Sequence, residues 1–238
     1  MIAKYMLLLG VLCLSVFATG CGERKVKPTA QGQSDDCKYI YERKVDGEPK
    51  ENAVIKQADY VIILFSASGK LTASHNFALF AKVRADKVEE SVTISWMPKS
   101  MKPGRGAEPG VNLDIQTTVG WARNNGMVVE RFGPYYCTEN LYQRAKTQVN
   151  KLNTGFVQYK LLDNNLRPDT ATNSVHAISD ILCNGDRFDK FLVQTGSGNN
   201  ASAVLKTYFE REGFIDGKYK NENELLSQFE IQHVRRFE

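Results

Sequence analysis

Three histidines, His75, His176 and His233, supply every side chain in this 238-residue sequence that ordinarily titrates near neutral pH. Two of them have informative settings. His75 opens an apolar, strand-like run, and His176 falls in the first turn of a helix-like segment that Asn173 and Ser174 introduce. An imidazole is the usual general base for activating a hydroxyl or thiol. A nucleophile at a helix start also gains from the dipole and unpaired N–H groups there. The pattern predicts acyl transfer at an amide or ester, with His75 as base, Ser174 as nucleophile and the backbone N–H groups of the helix start, flanked by Asn173 and His176, as oxyanion donors. The competing reading of the same residues is architectural: Asn173 or Ser174 as an N-cap, His75 as a satisfied strand histidine and His176 as a first-turn residue.

The order of these motifs, Ser74-His75 before an apolar strand and then Asn173-Ser174-Val175-His176-Ala177 at a helix start, resembles the circularly permuted NlpC-like papain-fold superfamily, which includes the lecithin:retinol acyltransferase-like proteins. The resemblance covers Ala58 to Cys183. It implies an α+β fold, a small antiparallel sheet packed with helices in a permuted papain-like architecture, with the histidine on a strand and a nucleophilic cysteine at a helix N-terminus in a motif of the type Asn-Cys-x-His. It also implies a third, orienting polar group on the following strand, for which Ser95 is the nearest candidate. Ser174 stands where the family has its cysteine. A hydroxyl stays protonated where a thiol is readily made a thiolate, so the resemblance implies either an altered Ser174/His75 dyad or a pseudoenzyme that keeps the cleft. The alternative function is a non-catalytic envelope lipoprotein that binds or builds. Cys183 lies nine positions after Ser174, about half a turn away around a helix, and is no substitute nucleophile. Cys137 precedes a helix cap and reads as a disulfide candidate, with Cys37 as its partner.

The elements that would position these groups follow from periodicity. Tyr60 to Phe65, His75 to Val83 and Val92 to Met97 read as consecutive antiparallel strands, separated by Gly69 and by a charged turn at residues 84–90. Pro98 to Gly110 is rich in Pro and Gly and reads as a long loop carrying Lys99, Lys102 and Arg105. Helices are expected after an Asn112 cap, with Ile115, Val119 and Ala122 on one face, and after a Thr138 cap, with Leu141, Tyr142, Ala145, Val149 and Leu152 on one face and Gly155 closing it. A strand over Phe156 to Leu162, a helix from Ser174 to Leu182 closed by Gly185, a strand over Phe188 to Gln194, a helix over about Ser202 to Arg211 and a C-terminal strand over Phe229 to Phe237 complete the expectation. Thr195 to Ser202 (TGSGNNAS) lies between a strand and a helix, yet it lacks the Lys-Ser/Thr ending of a P-loop and reads as a plain turn.

Residues 1–20 have the layout of a secretory signal peptide: Lys4, an apolar run to Phe17, then small residues. Ala18-Thr19-Gly20-Cys21 resembles the bacterial lipobox, which makes Cys21 the lipidation site and the membrane a partner through that lipid. Residues 21–57 read as a polar tether with the start of the domain, and residues 58–238 as a single domain. The expected location is the cell envelope, with Gly22 after Cys21 pointing to the outer membrane of a diderm host. A cell-wall peptide or a lipid is the expected ligand class. With 31 Lys+Arg against 27 Asp+Glu the net charge is +4, too small for a dedicated nucleic-acid binder. No CxxC or Cys/His cluster has metal-ligand spacing, so neither a metal nor another cofactor is expected.

Overall fold

The central strand of the structure, β1 (Asp59–Ser68), is apolar on both of its faces, and that dictates the architecture. Val61, Ile63, Phe65 and Ala67 point one way, Ile62 and Leu64 the other, and all are buried. A sheet whose strands are apolar on both sides must be covered on both sides. The computed structural model describes residues 58–69, 74–102, 104, 106–161, 170–185 and 199–237. The expected signal peptide and tether, Cys21, Cys37 and the expected strand over Phe188 to Gln194 lie outside these.

β1 runs antiparallel to β2 (His75–Arg84), and β2 to β3 (Lys87–Ile94), as the sequence pattern anticipates. The turn between β2 and β3 is two residues, Ala85 and Asp86, both with positive φ, +48° and +64°. That is the geometry matching strand twist, though neither residue is the favoured glycine. Outside contacts hold it: Asp86 accepts from Asn221, and its carbonyl accepts from Gln228 Nε2 at 2.8 Å. The charged segment at residues 84–90 is therefore mostly strand, polar because one side of β3 meets solvent. Gln228 also accepts from the Val88 N–H at 2.8 Å, so one glutamine side chain bridges the turn and the start of β3.

On the other side of β1 lies β6 (Val128–Cys137), which the periodicity did not reveal because Glu130, Arg131, Gly133 and Pro134 interrupt its apolar pattern. Ile62 faces Tyr135 while Leu64 faces Phe132, so β6 carries an extra residue at this point. Gly133 sits in that bulge with φ +91°, and a Cβ there would meet Tyr135 Cδ2 at 2.7 Å. Two short strands share the outer edge of β6: β9 (Ile215–Lys218) is antiparallel at one end and β10 (Arg235–Arg236) parallel at the other. A smaller sheet has the order β4 (Trp96–Pro98), β5 (Glu108–Asn112), β7 (Gln158–Tyr159) and β8 (Ala171–Thr172). The expected long loop thus ends in a strand. β5 can lie against β4 because Gly110 has no side chain; a Cβ there would stand 1.9 Å from the Trp96 ring.

Helices α1 (Ile115–Asn124) and α5 (Glu222–Gln228) cover one face of the main sheet, and α2 (Glu139–Asn153), α3 (Ser174–Ser179) and α4 (Asn199–Arg211) the other. The cap of α1 is Asp114, whose carboxylate accepts from the Thr117 N–H at 2.7 Å; Asn112 instead donates to Thr93 O and accepts from the Ser95 N–H. Thr138 caps α2 as expected. The expected helix to Leu182 becomes α3 followed by a 3-10 turn, Asp180–Cys183. β7 is much shorter than the expected strand, α4 starts three residues earlier than expected, and the C-terminal strand reduces to β10 after α5. No helix among the described residues is long and apolar enough to cross a membrane.

The coarse expectation of a mixed α+β domain with an antiparallel sheet packed with helices holds.

Candidate functional site

Strand parity decides where the predicted residues point. In β2, His75, Phe77, Leu79, Ala81 and Val83 face the layer of α1 and α5. Asn76, Ala78 and Phe80 face the layer of α2, α3 and α4. His75 stacks on Phe77, with ring centroids 5.5 Å apart, and meets Trp121 of α1 edge-on at 5.9 Å. Ser174 is the first residue of α3, whose Ala177 and Ile178 belong to the opposite core. His75 and Ser174 therefore lie on opposite faces of the sheet, and no hydrogen bond joins them. The expected dyad is not assembled, because adjacent strand residues alternate between faces and Ser174 sits on the Asn76 side.

Ser95 does reach His75. Its Oγ lies 3.0 Å from His75 Nε2 and 2.8 Å from Thr118 Oγ1, and the single Thr118 hydroxyl proton goes to Asp114 O at 2.7 Å. Ser95 stands between β3 and β4, and its side chain projects to the same face as His75. A hydroxyl beside an imidazole nitrogen is the chemistry of an activated nucleophile, but Ser95 and Thr118 are fully buried and His75 is 5% exposed. Burial holds the His75 ring neutral, its pKa lowered to about 3. The chain from His75 to Asp114 is a closed polar inclusion in an apolar layer.

At the Ser174 end, Asn173 is the N-cap: its side chain accepts from the His176 N–H at 2.8 Å. That oxygen is thus already engaged with the helix backbone. Ser174 and His176 are both buried, at 6% and 8% exposure. α3 is held from behind by Gln148 of α2, which donates to Ala177 O at 3.0 Å. His233 is largely exposed, with its pKa lowered by partial burial and by nearby Arg123.

The sheet face on the Ser174 side carries a second polar group that the sequence reading missed. Asn76 Nδ2 donates to Ser202 Oγ at 2.8 Å, and Ser202 donates to Phe65 O at 3.1 Å. Ser66 donates to Asn199, and Asn199 to Glu130, whose other oxygen is 3.5 Å from Arg235. Ser66, Asn76 and Ser202 are each 1% exposed. The signal was available in Ser66 and Asn76, polar residues at matching parity in otherwise apolar strands. Asn199 and Ser202 belong to the Gly/Ser/Asn segment set aside as a turn. They form the first turn of α4 and bind the sheet.

Cys137 is a free, partly buried thiol whose pKa is raised by burial, and Cys183 is disulfide-bonded. The expectation of a bridge at Cys137 is corrected: the residue lies at the end of β6, turned into the protein. In the Pro/Gly-rich segment Glu108 accepts from Gly104 N at 3.0 Å and Ser100 Oγ at 2.7 Å, which lowers its pKa; Lys99 and Lys102 are exposed, and Arg105 lies outside the described residues. No group of three or more His, Cys, Asp or Glu that could hold a metal occurs among the described residues.

Comparison of the chain with protein-family models, with curated proteins and with solved structures found no match.

Proposed function

We propose that the protein is a lipid-anchored, non-catalytic module of the bacterial cell envelope, its folded domain acting by binding. The observation that carries this reading is the pair of neighbours at the start of β2. The imidazole is enclosed on the α1 face, and the residue on the Ser174 face is Asn76, an amide with no proton-accepting nitrogen. The permuted papain-like interpretation needs His75 as base beside a thiol, and here His75 faces the other layer and position 174 is a serine. A hydroxyl with no base beside it remains a weak nucleophile. The anchoring part of the reading rests on the signal-like run and the Ala18-Thr19-Gly20-Cys21 motif. A cell-wall peptide or an acyl group is the ligand class proposed.

Two experiments test it. Radiolabelled palmitate fed to cells expressing the full chain labels the wild type and not Cys21→Ser; labelling of neither removes the anchor. In the folded domain, Ser174→Cys alkylates with iodoacetamide slowly, as a buried thiol does, and His75→Ala leaves that rate unchanged. A Ser174→Cys rate that collapses with His75→Ala would overturn the assignment of His75 to the closed face and restore the enzyme reading.

A further inference from the structure

The smaller sheet has a covered side and a bare side. Burial alternates along the run through β7: Val157 and Tyr159 are 3% and 5% exposed, while Phe156 is 82% exposed and Gln158 is exposed with it. Lys160 continues that outward line, and its N–H donates to Thr172 O at 3.0 Å, so the ladder runs on past the strand. Across the sheet Gln158 pairs with Pro109, also exposed, and the Lys99 N–H donates to Pro109 O at 2.8 Å. At the usual strand spacing the backbone of Lys99 lies about 12 Å from that of both Phe156 and Lys160. Lys102, in the turn between β4 and β5, is exposed as Lys99 is. None of the three lysines has an ion-pair partner among the described residues. The one acid in these four strands, Glu108, pairs with Tyr159 and so shares the covered side, and its carboxylate already accepts from Ser100 and Gly104.

A single exposed phenyl ring is ordinary, but one set among cations that lack counter-ions makes a surface with an apolar centre and a positive rim. We infer that this side of the smaller sheet docks on a bilayer bearing anionic headgroups, with the Phe156 ring at the headgroup–acyl boundary and Lys99, Lys102 and Lys160 against the phosphates. Charge complementarity selects the occupant. Unpaired cations call for an anionic partner, and the ring calls for one with an apolar layer directly beneath its charge; a bilayer offers both, a soluble polyanion only the first. The long lysine stems let the ring sink while the ammonium groups stay at the headgroups. This contact goes beyond the anchored, non-catalytic reading and uses no residue of the anchor motif.

The test places an indole at the centre of the surface by Phe156→Trp in the full chain, with the unsubstituted protein supplying the background of Trp96 and Trp121. On vesicles of phosphatidylcholine mixed with phosphatidylglycerol, the added emission should shift to the blue and be quenched by brominated acyl chains; on phosphatidylcholine alone it should do neither. Reversing Lys99, Lys102 and Lys160 together to Glu should return both signals to their phosphatidylcholine values with the urea midpoint unchanged, so that loss of signal is loss of docking. Salt at about 1 M, where the Debye length is about 3 Å, should do the same. Equal signals on the two kinds of vesicle, signals that survive the charge reversal, or no signal on anionic vesicles each overturn the proposal. A blue shift given by soluble polyphosphate and not by vesicles overturns it in favour of a polyanion. Cys21→Ser separates this surface from the anchor: it abolishes palmitate labelling and leaves the indole response in place.

Discussion

The two faces of the main sheet carry buried polar groups in contrasting ways. On the α1/α5 face His75, Ser95 and Thr118 form one short line ending on a backbone carbonyl, surrounded by Phe77, Trp121 and aliphatic side chains. On the α2/α3/α4 face Ser66, Asn76, Ser202, Asn199 and Glu130 tie two strands and β6 to the first turn of α4, and the network reaches an exposed arginine. The first arrangement is sealed and contains the group most able to do acid–base chemistry. The second borders the surface and contains amides, hydroxyls and one carboxylate. Chemical capacity and access are separated by the thickness of one β-strand, between residues 75 and 76.

Acid provides the largest test of that contrast. His75 stays neutral in the fold down to about pH 3, whereas an unfolded histidine takes up a proton near pH 6.5. The unfolded state therefore binds more protons over that window, and the stability contributed by the neutral ring is complete above it and erodes as pH falls. Urea melts at pH 7, 5 and 4 should show a component of stability, about 3–5 kcal/mol at its limit, that is lost on acidification in the wild type and absent in His75→Gln. Equal acid sensitivity in the two proteins would mean that the ring is reachable by solvent and the sealed face is misread.

Single hydroxyl deletions come next. Ser95→Ala and Ser202→Ala each leave a buried polar partner unsatisfied and should each cost about 1–3 kcal/mol in chemical denaturation. The sharper observation is their combination: across the sheet the two losses should add, while Ser95→Ala with His75→Gln should depart from additivity by at least about 0.5 kcal/mol. Coupling between Ser95 and Ser202 would show that the two polar sets communicate through the sheet.

The smallest effects belong to the caps. Asp114→Ala and Asn173→Ala each remove one side-chain acceptor from a helix start, at a cost of about 1 kcal/mol. Asn173→Ser should recover most of the loss, as capping requires only an oxygen there. If Asn173→Ser fails to recover stability while Asn173→Asp succeeds, the α3 start favours a carboxylate for a reason beyond capping.

The meander of β1, β2 and β3 was legible because those strands carry apolar runs, and α2 because its cap, stripe and terminating glycine agree. β6 was not legible: it is the partner of β1 along nearly its whole length, yet Glu130, Arg131, Gly133 and Pro134 break its apolar pattern, and only pairing makes it a strand. α5 and β9 are short elements whose stability comes from contact with the sheet rather than from their own periodicity. As for the site, the sequence offered Ser95 only through the resemblance, and the structure puts its hydroxyl against His75 in a closed layer. The sequence failed to separate His75 from Ser174 because a motif search reads residues along the chain and ignores the alternation that sends residue 75 and residue 76 to opposite sides.

Gln228 has a consequence for how copies of this domain behave side by side. A strand with one free edge is a template on which another chain can add its own strand, and the hazard grows with local concentration. The glutamine amide presents one donor and one acceptor in the same relation as a peptide group, and it occupies the Asp86 carbonyl and the Val88 N–H at the start of that edge. Pairing of another strand at this end of β3 would have to displace a side chain that already imitates the incoming strand.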